Sequence, residues 1–159
     1  MKAIPYEDRE EIRELTHRAA LYGDTKQIDK CLSLYASDGV LDESCVGMPI
    51  AHGTDQMRGF MTHPAADAVK YMTHFVTNHI ISSYDGKIAT GMAYVWFSSV
   101  NADGHRMEIR GYYDDVYAKI NGRWRIKHRV LHNLVPPIGT PDAAPVEHNV
   151  HSLHFQDIP

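Results

Sequence analysis

The sequence predicts an α+β fold in which helices come first and antiparallel strands follow. The N-terminal part carries apolar residues at helical spacing, whereas from about residue 70 four segments alternate as strands do and short turn sequences separate them. Helices followed by strands in this order are typical of a sheet that packs against helices. The 159 residues suit one domain, which we place at 1–135. We expect the proline-rich tail at 136–159 to form a loop or flap over a pocket or a neighbouring subunit.

The first predicted helix covers residues 6–21. Ile12, Leu15 and Ala19 recur at helical spacing among charged residues, and acidic residues crowd its first turn. Gly23 ends this helix, and the next residues can cap a second helix that we expect to reach Ala36. The other elements predicted before the long strands are a strand at 40–46, a third helix at 53–61 and a loop at 63–66.

The four long strands are predicted from alternation and from the turns between them, and they cover 70–83, 87–100, 105–119 and 122–135. One face of the first strand collects Met72, His74, Val76, Asn78 and Ile80. This face is either a core that holds one satisfied histidine or a pocket wall in which His74 moves protons.

Large aromatic residues occur on both faces of the predicted sheet, among them Tyr94, Trp96 and Tyr112. An antiparallel sheet in a monomer usually leaves one face polar and wet. We therefore expect helices to cover one face and a second copy of the chain to cover the other. The prediction is a homo-oligomer, either a dimer or a trimer.

The composition excludes several classes of protein. The formal net charge of −4 argues against a nucleic-acid-binding protein, which normally carries a basic stripe. The sequence has no apolar run of membrane-spanning length and no signal-peptide pattern at its N-terminus. Cys31 and Cys45 are too few for a disulfide framework. We expect a cytoplasmic protein that binds neither membranes nor nucleic acid.

The 11 histidines are unusual, but their spacing does not predict a metal site. Three of them, His148, His151 and His154, have ligand-like spacing in the tail, where no acidic or cysteine pattern accompanies them. We expect neither a metal nor an organic cofactor.

Two stretches, HRAALYGDTKQIDKCLSLYASDGVLD and INGRWRIKHRV, together with THFVTN, resemble SnoaL-like proteins of the nuclear transport factor 2-like superfamily. The resemblance covers roughly residues 8–135 and implies a cone-shaped curved sheet packed on three N-terminal helices. Within the superfamily the chain looks closest to the scytalone dehydratase and hexachlorocyclohexane dehydrochlorinase group. Ketosteroid isomerases share the fold but place their catalytic carboxylates differently.

That group uses an Asp at the end of the first helix and a His on the first long strand as a catalytic dyad, and Asp24 and His74 stand at the matching places. Arg129 matches a basic residue on the last strand of the dehydrochlorinase. A Tyr precedes the Asp in scytalone dehydratase, whereas Gly23 here separates Tyr22 from Asp24. His105 is a loose match for a second His, and the adjoining turn places it near the sheet edge.

The residue chemistry fits proton abstraction by His74, with Asp24 holding its imidazole and Arg129 stabilising developing charge. The residues predicted to bind a small apolar cyclic substrate are Tyr22, Val95, Phe97, Ile109, Tyr113, Leu131 and Asn133. The resemblance implies a dehydratase-like lyase. The alternatives are an isomerase or polyketide cyclase with the same proton abstraction, and a non-catalytic small subunit of a ring-hydroxylating dioxygenase.

Overall fold

The computed structural model describes residues 3–139, and helices precede the long strands as predicted. The helices are α1 (Tyr6–Asp24), α2 (Ile28–Leu32), α3 (Gly53–Met61) and α4 (Pro64–Asp67), and Ser44–Val46 forms one turn of 3₁₀ helix. The strands are β1 (Tyr35–Asp42), β2 (Ala51–His52), β3 (Val69–Tyr84), β4 (Ile88–Asn101), β5 (Arg106–Ile120) and β6 (Arg123–Asn133). Residues 140–159, which hold most of the predicted flap and its three histidines, lie outside the described residues.

The six strands form one curved sheet in the order β2-β1-β6-β5-β4-β3. β1 runs parallel to β6, and every other neighbouring pair is antiparallel. The four long strands are consecutive in the sequence and adjacent in the sheet, which is the meander that their turn sequences predict. The prediction of an α+β fold with a curved sheet packed on helices is confirmed.

α1 packs along the inner face of the sheet, where it contacts β3 and β6. Its buried residues recur at the 3.6-residue period of a helix: Asp8, Ile12, Leu15, Thr16 and Ala19. Burial of each large apolar side chain contributes roughly 1.5–3 kcal/mol relative to an exposed one. Thr25 ends the helix by donating its backbone N–H and its hydroxyl to the carbonyl oxygen of Leu21, at 3.0 and 2.6 Å. The helix end therefore fixes Asp24 at the rim of the sheet.

Three local predictions before β3 were wrong: the end of the second helix, the strand at 40–46, which is observed as Tyr35–Asp42, and the loop at 63–66. The predicted second helix stops at Leu32, because the following residues pair with β6 instead; the amide of Ile126 donates to the carbonyl of Leu34 at 2.9 Å. The turn-forming residues at 37–39 lie within β1, where they make an irregularity in its pairing with β6. The predicted loop at 63–66 contains α4, which begins at Pro64, a residue suited to the first helical position.

A bulge in β3 changes which residues face inward. The pairing with β4 shifts between Thr77 and Ile80, and Asn78 takes a positive φ of 52°. Met72, His74 and Val76 line the inner cavity as predicted, but Asn78 and Ile80 are exposed. His79 turns inward in their place. The predicted parity was therefore wrong from Asn78 to Ile81, because one extra residue moves the side chains that follow it to the opposite face. A second shift between Ile81 and Ser83 restores the original parity, and Tyr84 is again in the core.

β6 carries a second bulge at Lys127, where the register with β5 shifts. Trp124 and Ile126 are buried before it, and Arg129, Leu131 and Asn133 are buried after it. Strict alternation along residues 122–135 would place Trp124 and Ile126 on one face with His128, opposite Arg129, and the bulge breaks this alternation. Lys127 also donates to Asp38 of the β1 irregularity at 2.6 Å, so the irregular parts of the two strands lie side by side.

The outer face of the sheet carries exposed aromatic side chains. Tyr71, Phe75 and Trp96 are 63%, 58% and 49% exposed, and the rings of Phe75 and Trp96 lie 5.9 Å apart. The second copy of the chain that we expect on this face stays a prediction. None of the helices in the described part of the chain is both long and apolar enough to span a membrane.

Candidate active site

A cavity of about 750 Å³ lies between the inner face of the sheet and α1 to α4. Most of its wall is apolar, including Val46, Phe60, Met72, Val76, Phe97 and Ile109. The sheet side contributes His74 on β3 and Arg129 with Tyr113 on the central strands, and the loop after β1 contributes Glu43. The helices and the segments that follow them add the polar residues Thr16, Lys26, Gln56, Thr62, His63 and Asp67. The site is thus an apolar chamber with a few polar groups, as small-molecule sites usually are.

Asp24 and His74 form a clamp across the junction of α1 and β3. One carboxylate oxygen of Asp24, Oδ1, lies 2.6 Å from Nδ1 of His74, and the other, Oδ2, accepts the backbone N–H of the same residue at 3.0 Å. A carboxylate only accepts hydrogen bonds, so Nδ1 carries a proton, and in the neutral imidazole Nε2 is the nitrogen with the lone pair. The ring of Phe97 packs 4.6 Å from the imidazole. These contacts fix both the tautomer and the orientation of His74.

Arg129 is held by a different and more extensive set of contacts. Its Nε and Nη2 donate to the two oxygens of Asp115 at 2.8 and 2.7 Å, and its Cζ lies 4.2 Å from the centre of the Tyr113 ring. Burial disfavours the charge, but Asp115 outweighs burial and keeps the pKa of Arg129 well above its ordinary value. The guanidinium is therefore permanently charged and already paired, which differs from the unpaired positive charge that the sequence suggested.

The Asp115 carboxylate also belongs to a buried hydrogen-bond chain. Tyr117 donates its hydroxyl to Asp115 at 2.7 Å, so the oxygen of Tyr117 accepts from Nε2 of His79 at 3.0 Å. Nδ1 of His79 is then an unprotonated acceptor, and it is buried without a partner among the described residues. Burial lowers the pKa of His79 to about 4, which keeps this imidazole neutral near pH 7.

Two tyrosines present hydroxyl groups to the cavity near Arg129. Tyr35 and Tyr113 are buried and belong to the cavity wall, and burial raises the pKa of both phenols above the ordinary value. Neither hydroxyl has a hydrogen-bond partner within residues 3–139. Both are therefore protonated donors that a bound oxygen atom can use.

Glu43, in the loop after β1, is a further titratable group of the wall. Burial is the main cause that raises the pKa of its carboxyl, and the neighbouring Asp42 adds to the effect, while His74 and Arg129 lower it by less. A glutamate with a raised pKa in a cavity is characteristic of catalytic acids.

The structure brings most of the predicted site residues to this cavity. His74, Arg129, Tyr22, Phe97, Ile109, Tyr113 and Leu131 all belong to its wall. Asp24 reaches the cavity through His74. Val95 packs in the core beside Ile109, Tyr113 and Leu131, and Asn133 donates to the carbonyl of Cys45 at 3.0 Å. Val95 and Asn133 thus support the wall from behind it. His105 is exposed near Gly139, away from the cavity.

Sequence reasoning missed four polar residues of the site: Thr16, Tyr35, Glu43 and Asp115. Asp115 had a usable signal, because a carboxylate on the inner face of a strand needs a cationic partner. Tyr35 and Glu43 gave no such signal. Tyr35 was assigned to a helix, and nothing in the sequence distinguishes Glu43 from the other acidic residues. Within residues 3–139, no group of three His, Cys, Asp or Glu residues is arranged to hold a metal ion.

The chain is similar to known proteins both in sequence pattern and in fold. Residues 5–130 match the model of the SnoaL-like domain. A protein of Novosphingobium aromaticivorans, provisionally named an aromatic ring hydroxylase, is 29% identical with a TM-score of 0.83, over 90% of this chain and 100% of that one. No protein with a curated description matches this chain in sequence.

Two further solved structures share the fold at lower identity. One, provisionally named a scytalone dehydratase, also comes from Novosphingobium aromaticivorans; it is 16% identical with a TM-score of 0.78, over 89% of this chain and 94% of that one. The other is a hexachlorocyclohexane dehydrochlorinase of Novosphingobium barchaimii, 15% identical with a TM-score of 0.72, over 87% and 95%.

Proposed function

This chain belongs to the SnoaL-like family, and we propose that it is a cofactor-independent lyase that removes water from a small cyclic or aromatic hydroxy compound. The observation that carries the proposal is the clamp between Asp24 and His74, which leaves Nε2 of an oriented imidazole at the wall of an apolar cavity. The solved structures at 15% and 16% identity support the fold, so the argument for the reaction depends on the residues of this chain.

His74 is the general base of the proposed reaction. Its Nε2 takes a proton from a carbon next to an activating carbonyl or ring, and Asp24 stabilises the imidazolium as it forms through the hydrogen bond to Nδ1. The hydroxyls of Tyr35 and Tyr113 are suited to receive the negative charge that develops on the substrate oxygen. Arg129 adds a fixed positive charge beneath Tyr113.

The cavity favours a neutral ring over a charged substrate. Its volume of about 750 Å³ lies within the usual range of roughly 300–1,000 Å³ for small-molecule sites. The charge of Arg129 is paired with Asp115, and Lys26, the other cation of the wall, lies 3.8 Å from Asp67. Among the described residues, both cations of the wall therefore already have a carboxylate neighbour. A cyclic hydroxy ketone therefore suits the site better than an organic acid.

One alternative has a specific observation in its favour. The neighbour at 29% identity is provisionally named an aromatic ring hydroxylase, which fits a non-catalytic small subunit of a ring-hydroxylating enzyme. That function requires a stable complex with a second kind of chain. Purification of the native protein as a homo-oligomer, measured by light scattering, would contradict it. An isomerase or a polyketide cyclase would use the same base and would give a rearranged or cyclised product.

The test uses variants of the clamp and a panel of cyclic and aromatic β-hydroxy ketones. Loss of water creates a conjugated double bond, so the appearance of ultraviolet absorbance measures the reaction. We expect His74→Ala and Asp24→Asn to lower turnover by about 10²–10⁴-fold, the usual contribution of a positioned general base. His52→Ala is the matched control, because His52 is exposed and outside the cavity wall. Full activity in both clamp variants would contradict the dyad.

A further inference from the structure

Glu43 is fixed by its backbone and presents its side chain to the cavity. Its carbonyl oxygen accepts the amides of Val46 and Met48 at 3.1 and 3.4 Å, which hold the loop after β1. Its carboxyl has no hydrogen bond or ion pair with any other residue in the range 3–139. Glu43 is partly buried at the cavity wall, and a carboxyl withdrawn from bulk water without a protein partner is costly unless it is protonated or contacts a ligand. The residue thus needs a functional explanation that the clamp does not supply.

The surroundings of Glu43 decide its charge. The titratable and charged groups that influence it, or are influenced by it, come from every element that packs around it: Cys31, Tyr35, Asp42, Cys45, His74, Tyr113 and Arg129. His74 and the guanidinium of Arg129 favour ionisation of Glu43, but their combined effect is smaller than that of burial together with Asp42. Burial therefore prevails, and the carboxyl keeps its proton to a higher pH than an ordinary glutamate.

We propose that Glu43 is the general acid of the reaction, which protonates the departing hydroxyl group while His74 takes the proton from carbon. The inference depends on the proposed lyase function and assigns the second half of its chemistry. It follows from the position of both residues in the wall of one cavity and from the free carboxyl of Glu43.

His74 and Glu43 together account for both protons that the reaction moves. The electrons of the broken C–H bond form the C=C bond, those of the C–O bond go to oxygen, and the proton of Glu43 converts the leaving hydroxide to water. The turnover leaves an imidazolium at His74 and a carboxylate at Glu43. His74 then returns one proton to solvent and Glu43 takes one up, so no other reactant is needed.

The charge on His74 also changes the acidity of Glu43 in the direction that the reaction requires. A positive charge on His74 lowers the pKa of Glu43. Proton abstraction by His74 therefore makes Glu43 a stronger acid at the step that requires it. The resulting imidazolium and carboxylate stabilise each other until product leaves.

The first experiment compares two leaving groups in the variant Glu43→Gln, which keeps the shape of the side chain but has no acidic proton. The probes are the cyclic β-hydroxy ketone with the highest turnover in the panel and its acetate ester, whose leaving group needs no proton. We expect turnover of the alcohol to fall about 10²-fold or more, and that of the ester to change less than about threefold. Equal losses for both probes, or no loss for the alcohol, would overturn the proposal. Glu14→Gln, on the exposed face of α1, is the matched control.

The second experiment needs no substrate. The ¹³C resonance of the Glu43 side-chain carboxyl, assigned by its disappearance in Glu43→Gln, is followed against pH. We expect a midpoint above the ordinary value of about 4.3, and a further rise in His74→Ala, because the charge of His74 is then missing. A midpoint at or below the ordinary value would overturn the role of Glu43 even if Glu43→Gln fails to fold. Failure of the clamp variants to lose activity would instead overturn the proposed function, so the two failures are distinguishable.

Discussion

The cavity wall contains two pairs of a carboxylate and a base that differ in almost every physical respect. The side chains of His74 and Asp24 are 18% and 20% exposed and share a single side-chain hydrogen bond. Those of Arg129 and Asp115 are 4% and 0% exposed and share two. In the first pair one nitrogen remains free for a substrate, whereas in the second the carboxylate binds both guanidinium nitrogens and a tyrosine hydroxyl.

The difference in burial gives the two pairs different expected roles, one in the proposed reaction and one in stabilising the fold. A fully buried ion pair is strongly destabilising when one partner is lost, because the other charge stays buried without compensation. A partly exposed pair loses less, since water can replace the missing partner. We infer that Arg129 and Asp115 hold the central strands and α1 together, and that Asp24 and His74 retain the freedom to exchange a proton.

The largest effect on stability is expected for Arg129→Met, which leaves Asp115 buried and unpaired. We expect the free energy of unfolding to fall by about 3–5 kcal/mol, measured by urea denaturation at pH 7. Arg110→Met is the matched control, because Arg110 is exposed on the same sheet. A loss below about 1 kcal/mol, the range of surface pairs, would show that the two pairs do not differ as described.

A smaller effect on stability is expected for Asp24→Asn. The amide keeps the shape of the side chain, and one partly exposed hydrogen bond contributes about 0.5–1.5 kcal/mol. The same urea titration measures it. Asp24→Asn should therefore combine a large loss of turnover with a small loss of stability. If it destabilised the protein as much as Arg129→Met, the clamp would be structural as well.

A third effect concerns pH and tests the hydrogen-bond chain behind Arg129. The pKa of His79 is lowered to about 4, so between about pH 6.5 and pH 4 the unfolded chain binds a proton that the folded chain does not. Stability should therefore fall as pH decreases through this window. His79→Gln removes the titration, and its amide can still donate to Tyr117.

The measurement for His79 is the urea midpoint at pH 7 and at pH 4.5. We expect the difference between the two values to be smaller in His79→Gln than in the natural protein. His52→Gln, at an exposed histidine, should leave the difference unchanged. An equal difference in all three proteins would mean that His79 does not titrate as its burial implies.

The fold and the clamp were predictable from sequence because they depend on local patterns. Alternation and turn residues defined the four long strands, and the resemblance placed Asp24 at a helix end and His74 on the first long strand. The partner of Arg129 was not predictable in this way. Counting back from the Asn121–Gly122 turn without a bulge sets Asp115 opposite His128, whereas the bulge at Lys127 sets it opposite Arg129.

Site residues outside the long strands were also hard to predict, because their positions depend on long-range pairing. Tyr35 and Glu43 reach the cavity only because the chain pairs with β6 after Leu32. That pairing joins segments about 90 residues apart, and no local pattern records it. The apolar and turn-forming residues there, Leu34 to Gly39, suit a helix end as well as an irregular strand.

The adjoining irregularities of β1 and β6 have a consequence for how the site can change. Past them the parallel strands return to regular pairing, with Leu41 opposite Arg129 and Asp42 opposite Val130, so Glu43 follows β1 directly after the residue opposite Val130. The extra residues in one strand are accommodated beside those in the other, and Lys127 bridges them to Asp38. An insertion or deletion in only one of the two strands would shift Glu43 relative to Arg129. A change of length here would therefore alter the chemistry of the site while the fold stays the same.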